Sequence, residues 1–256
     1  RRREGRGCAL PGILCGSPAL SPEWIRVIPW LEAGDAPEDF PPVEAALSDP
    51  NGLLCAGGDL TPARLLAAYR RGIFPWYAAG QPILWWSPDP RAVLRPGEFH
   101  VSRSLARSMR NRGYTVSIDR AFAAVVAHCG DRTLRPEGTW ITPAMRDAYQ
   151  LLHELGFAHS VETWQGPTLI GGIYGVALGR VFFGESMFSL ARDASKVAMA
   201  RLVEELIGRG LELLDCQIPT AHLASLGVRT LPRHHFVGLL QQWVDEPMPV
   251  GDWRTH

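Results

Sequence analysis

Lysine is almost missing from this chain of 256 residues. Lys196 is the only one, and every other position in the Lys+Arg count of 26 is arginine. Biased composition accounts for the general excess, although arginine is also the better side chain for gripping a phosphate through two parallel hydrogen bonds. Net charge is missing too: the 26 basic residues balance 26 acidic ones. That excludes the strongly basic signature of a protein that coats nucleic acid over its whole surface. Cysteine is scarce and scattered. Cys8, Cys15, Cys55, Cys129 and Cys216 show no CxxC spacing, so neither a metal site nor a disulfide framework is expected, and a reducing cytoplasm fits. No run of about 18 apolar residues occurs, so no membrane span is expected. The remaining composition is ordinary for a globular protein, 46% hydrophobic and 20% charged, and the length suits one large domain or two modest ones.

The opening RRREGRG, followed by CALPGILCGSPAL, loosely imitates the charged and apolar parts of a signal peptide. Pro11, Gly12, Gly16 and Pro18 interrupt it, and residues 1–20 read as a disordered extension. A small N-terminal domain is expected over residues 21–89, with order beginning near Trp24 and Ile25. Phe40 to Pro62 is rich in Pro, Gly and Asp and reads as turns. Thr61-Pro62 makes an N-cap and first-turn pair for a helix that Gly72 closes. An irregular aromatic stretch follows. Within it Trp85 and Trp86 read as core, and Trp76, beside Pro75, as a pocket wall. Ser87 to Arg91 (SPDPR) reads as the linker to a second domain over residues 90–247, with a tail at 248–256.

Val101 to Gly113 reads as a helix whose Arg103, Arg107 and Arg110 share one face. Such a stripe suits a phosphate backbone or, equally, a solvated face. Thr142 and Pro143 open a second helix. HSVETW, TLIGGIYGVALG and VFFGESMF then read as a three-stranded meander, with Gly171, Gly172 and Gly175 allowing close backbone approach or a bulge. Asp193 is expected to cap a helix over residues 194–207. A buried strand from Leu211 to Ile218 follows, then a short helix capped by Thr220, an extended VRTLPR and a last amphipathic helix. The fold class this order predicts is α+β: a small N-terminal α/β domain, then a mixed-sheet domain resembling the acetyltransferase-like (GNAT-like) fold.

Asp215 and Gln217 end the apolar strand. Simple alternation puts them on one face and Cys216 on the other. A carboxylate and an amide are costly to bury there unless something uses them. Glu185, in GES at the end of the meander, is a third polar candidate, whose plain alternative is an internal salt bridge with Lys196.

The motifs PNGLLCAGGDLTPARLLAAYRRGIFPW, ILWWSPDPRAVL, EGTWIT, LHELGFAHSVE, GGIYGVALG, FGESMFS, ASK, DCQ and HLASLG occur in this order between about Phe40 and Arg233. Together they resemble the leucyl/phenylalanyl-tRNA–protein transferase family. The resemblance implies transfer of Leu or Phe (Met being a further candidate) from aminoacyl-tRNA to proteins with N-terminal Arg or Lys. The product would carry a destabilising N-terminus read by the bacterial degradation machinery. It implies a cytoplasmic monomer with no cofactor, no metal and no membrane partner. Asp215 would hold the acceptor's amine or cationic side chain, Gln217 would position the amine, and Glu185 would bind the donor ammonium or the acceptor cation. Ile173, Phe182, Met187, Leu202 and Leu206 would line the aminoacyl pocket, with plain core packing as the alternative. Trp76 and Trp140 would stack on the terminal adenosine, and Arg103, Arg107 and Arg110 would hold the acceptor-stem phosphates.

Two other classes compete. An acyl-CoA N-acetyltransferase would need the Gln/Arg-x-x-Gly-x-Gly/Ala pyrophosphate loop, and GESMFSLARDASK lacks that spacing. A non-catalytic RNA-binding module would leave Asp215, Gln217 and Glu185 without a role.

Overall fold

The computed structural model describes residues 28–134 and 138–247, together with Trp253. The proposed extension at 1–20, the start near Trp24 and Ile25, Glu137 of EGTWIT and most of the 248–256 tail lie outside the described residues.

The chain begins with a four-stranded sheet. Its members are β1 (Trp30–Leu31), β2 (Leu53–Gly57), β3 (Phe74–Pro75) and β4 (Leu84–Trp86), in the order β1-β2-β4-β3. Between β2 and β3 runs α1 (Pro62–Arg70), and Thr61 caps it by accepting from the Arg64 amide. Gly72, at φ 71°, ends the turn after α1; a Cβ there would stand 2.8 Å from the Phe236 ring.

The rest of the chain builds a seven-stranded sheet. It contributes β5 (Arg91–Leu94), α2 (Arg103–Asn111), β6 (Thr115–Ile118), α3 (Phe122–Cys129), α4 (Pro143–Glu154), β7 (Ala158–Gln165), β8 (Thr168–Leu178) and β9 (Val181–Ser189). After these come α5 (Ala194–Gly208), β10 (Leu213–Gln217), α6 (Ala221–Ala224), β11 (Arg229–Leu231) and α7 (Arg233–Trp243). The strand order is β11-β5-β10-β9-β8-β7-β6. The expected meander is β7 to β9, antiparallel throughout, and β10 returns parallel to β9 through α5. A parallel return needs such a crossover. The fold is α+β, with a mixed sheet as its main element.

Side-chain alternation divides the core between the sheet's two faces. Val93, Val181, Phe183 and Leu213 face α3, α4, α7 and the N-terminal sheet. Leu94, Phe182, Leu214 and Cys216 face α5 and α6. The first face is continuous with Leu65, Tyr69, Phe74, Trp85 and Trp86, so the two sheets share one apolar core.

Three expectations need correction. Ser87 to Arg91 does not end as a linker, because Arg91 is already the first residue of a fully buried strand. Asp193 does not cap α5 with its side chain: it sits at φ 62° and its carboxylate accepts instead from the Ser108 hydroxyl at 2.7 Å. Strict alternation also fails at the end of β10. Asp215 pairs with Val93 and Gln217 with Ala92, a register shift across Cys216, and Gln217 takes φ 54°.

Candidate active site

Two irregularities place the polar residues. On β9, Tyr174 pairs with Ser186 and Gly175 with Gly184, which leaves Glu185 as the extra residue of a bulge. Bulges re-aim side chains, and this one turns Glu185 into the space between the two sheets, against Tyr69 and Tyr149. Gly175 permits it: a Cβ there would lie 2.2 Å from the Phe183 carbonyl oxygen. The second irregularity is the end of β10. β9 and β10 pair only from Val181–Phe183 against Leu213–Asp215. Beyond that point β9 carries Glu185, while β10 turns away through the left-handed Gln217.

Glu185 is fully buried. Its Oε1 accepts from the Tyr69 hydroxyl at 2.6 Å and its Oε2 from the Tyr149 hydroxyl at 2.7 Å. The two hydroxyls are also 2.6 Å from each other. Counting protons decides what this ring means. Two phenols carry two protons, and three contacts need three. A protonated Glu185 supplies the third and closes the ring; an ionised one leaves the Tyr69–Tyr149 contact without a proton. The electrostatics agree. Burial, opposed by the two phenol hydrogen bonds, lifts the Glu185 carboxyl from its ordinary 4.5 to about 7. Burial likewise pushes both phenols well above their usual range.

Asp215 is buried and engaged. Arg91 donates to it through Nε at 2.8 Å and Nη2 at 2.7 Å. The Asp215 Oδ1 also accepts the Gln217 backbone N–H at 3.0 Å. Both Asp215 oxygens are thus engaged within the chain, where the family pattern had implied contact with an acceptor's amine or cationic side chain. A buried carboxylate needs a cation, hydrogen-bond donors or a proton of its own, and for Asp215 the partner is the Arg91 guanidinium. The Gln217 side chain is itself fully buried, and neither its Oε1 nor its Nε2 has a hydrogen-bond partner. Such a group is rare in a folded protein. Cys216 points to the opposite face among the α5-side apolar residues, and burial pushes its thiol far above the ordinary range, which makes it a structural group and no nucleophile.

The other expected residues divide. Ile173, Phe182, Met187, Leu202 and Leu206 are brought together, but as members of the packed α5-side core, each no more than 3% exposed. Trp76 is half-buried, with its ring 5.3 Å from that of Trp86. Trp140 is 1% exposed in the core, so no base can stack on it in this conformation. Arg103, Arg107 and Arg110 are exposed on α2. Of these, Arg107 lines a polar cleft of about 470 Å³ with Arg112, Asn111, Gln165 and Arg192. The alternative salt bridge from Glu185 to Lys196 is absent, because Lys196 lies 3.6 Å from Asp193. Among the described residues no three His, Cys, Asp or Glu side chains are grouped to hold a metal ion.

Sequence reasoning missed Arg91, Tyr69 and Tyr149. Arg91 left one signal, since an acid on an apolar strand needs a cation or hydrogen-bond donors somewhere in the chain.

Comparison with known proteins completes the assignment. Residues 93–241 match the family model described as leucyl/phenylalanyl-tRNA protein transferase, and residues 58–89 match the model of its N-terminal domain. The curated leucyl/phenylalanyl-tRNA–protein transferase of Stutzerimonas stutzeri is 57% identical over 229 residues, covering 90% of this chain and 100% of that one. The corresponding protein of Pseudomonas aeruginosa is 56% identical over 226 residues, covering 88% and 99%. A solved GCN5-related N-acetyltransferase from Kribbella flavida is 13% identical with a TM-score of 0.36, covering 67% of this chain and 61% of that one; a likeness at that level carries no argument. The family models take in both the α1-to-β4 region that supplies Tyr69 and the sheet that carries Glu185, Asp215 and Gln217. The chain belongs to the leucyl/phenylalanyl-tRNA–protein transferase family and is an aminoacyltransferase.

Proposed function

We propose that the chain moves leucine or phenylalanine, and methionine as a further donor, from aminoacyl-tRNA to the N-terminal Arg or Lys of acceptor proteins. The product would be marked for degradation through its new N-terminal residue, in the cytoplasm. The family membership supports the reaction type. The observation that carries the site is the unpartnered amide of Gln217, buried where β9 and β10 part.

The chemistry needs little more than alignment. The acceptor's neutral α-amine attacks the ester carbonyl carbon, an N–C bond forms, and the C–O bond to the ribose breaks. The amine's proton leaves with the ribose oxygen. An aminoacyl ester is already activated, so no ATP enters. Gln217 is suited to the middle of this step. Its Oε1 accepts from the attacking amine, while its Nε2 donates to the oxygen that gains charge. An amide is too weak a base to take the proton outright, so its contribution is orientation, which in favourable cases supplies roughly 7–11 kcal/mol.

Glu185 would receive the donor's α-ammonium, its own proton passing to solvent as that cation arrives. The donor side chain would reach toward Ile173, Phe182, Met187, Leu202 and Leu206, a core that must open to admit it. Leu and Phe are unbranched at Cβ and fit such an apolar site, whereas a β-branched donor would crowd it near Cβ, and Met187 adapts to either shape. Trp76, only partly buried, is the better of the two tryptophans for the terminal adenosine, where stacking is worth roughly 1–3 kcal/mol. Arg103, Arg107 and Arg110 would contact phosphates, joined by Arg112 and Arg192 across the cleft.

The test is transfer of radiolabelled leucine from Leu-tRNA to a peptide beginning with Arg, beside the same peptide acetylated at its N-terminus. Label on the free peptide alone supports the proposal. Label on neither, with Leu-tRNA still bound, refutes it.

A further inference from the structure

Arg91 has no role in the scheme above, yet few side chains in the molecule are held so completely. It is 1% exposed. Its guanidinium lies over the Phe74 ring at 4.8 Å and the Phe236 ring at 4.7 Å. Its Nη1 donates to the Gly72 carbonyl oxygen at 3.0 Å. The remaining edge of the fork, Nε and Nη2, takes both oxygens of Asp215. Strand β3, the turn after α1 and helix α7 thus hold one guanidinium, and that guanidinium holds one carboxylate.

The carboxylate in turn holds Gln217. Asp215 Oδ1 accepts the Gln217 N–H at the residue where the backbone takes φ 54°. A left-handed conformation is unfavourable for a residue with a side chain and persists where its surroundings impose it. No lysine could replace the fork, because a single ammonium cannot span both carboxylate oxygens and the Gly72 carbonyl in one plane.

We propose that Arg91 is a positioning residue for aminoacyl transfer: through Asp215 it fixes the left-handed turn that presents the Gln217 amide where β9 and β10 part. This rests on the reading of Gln217 given above. It also gives Asp215 a task unlike direct contact with the acceptor.

The experiment compares Arg91→Lys, Gln217→Ala and the double variant by single-turnover transfer and by KM for Leu-tRNA, with a crystal structure of Arg91→Lys. A misplacement of about 1 Å can cost about 100-fold in rate. The expected result is a loss of that order in kcat for Arg91→Lys, an unchanged KM, and a double variant no slower than Gln217→Ala alone. The crystal structure should show Gln217 out of its left-handed conformation. Losses that multiply in the double variant, a loss confined to KM, or a wild-type rate would overturn the proposal. If Arg91→Lys does not fold, Asp215→Asn replaces it and carries the same expectations. If the wild-type chain transfers nothing, the functional reading fails by itself. The crystal structure still decides the clamp, because Gln217 unmoved near φ 54° would overturn it.

Discussion

At the scale of residues, two of the buried ionisable groups each make a measurable prediction. The first is Glu185. Its folded-state value near 7 lies above the ordinary 4.5, so the folded chain keeps a proton that the unfolded chain loses as pH rises past 4.5. The stabilisation from this group is fully present below pH 4.5 and is lost as pH rises through about 7. Glu185→Gln should remove that slope, because an amide can both donate to one phenol and accept from the other at any pH. Urea unfolding between pH 4.5 and 8 should show wild type losing stability relative to the variant; parallel curves would contradict the proton count. The second is the Arg91–Asp215 pair. Removing one member leaves the other buried and unpaired, at a cost of roughly 3–5 kcal/mol. Arg91→Ala should therefore lower the unfolding free energy by that amount in chemical denaturation, and an effect under about 1 kcal/mol would mean that the pair behaves like a surface one.

At the scale of elements, the bulge in β9 carries the argument. Gly175→Ala places a methyl group 2.2 Å from the Phe183 carbonyl, so the strand must shift and Glu185 with it. The variant should lose both stability and transfer, whereas Gly97→Ala, where the added carbon meets nothing within 4 Å, should lose neither. Helix α2 makes a separate prediction. Reversing Arg103, Arg107 and Arg110 to Glu should weaken tRNA binding and reduce its salt dependence by about one unit of slope per lost phosphate contact. Filter binding across a salt series reads this directly, and an unchanged slope returns the three arginines to an ordinary solvated face. These elements also show where sequence reasoning reaches its limit. The meander, α5 and β10 were legible because alternation, glycine turns and caps are local signals. Strand β5 was not, because SPDP reads as a linker and what makes Arg91 part of a strand is a partner 124 residues away. The bulge at Glu185 was half legible: Gly175 flagged close approach, but the identity of the extra residue depends on the register of a neighbouring strand.

At the scale of the whole molecule, the N-terminal sheet is part of the site. Tyr69 on α1 bonds Glu185 on β9, and Gly72 and Phe74 grip Arg91. One apolar core runs through both sheets. The described chain should accordingly unfold in a single cooperative step, with calorimetric and van't Hoff enthalpies equal, and two resolved transitions would contradict the shared core. The same integration explains why short motifs spread over most of the sequence mark one reaction. FPW, SPDPR, GES and DCQ lie far apart in the chain, and Phe74, Arg91, Glu185 and Asp215 from them converge around the Arg91–Asp215 pair. The most direct test of the account is single-turnover leucine transfer by Gln217→Ala, with Leu-tRNA affinity measured on the same preparation. The account predicts a rate lower by about 100-fold at unchanged affinity. A wild-type rate, or a loss of affinity that accounts for the whole effect, would contradict it.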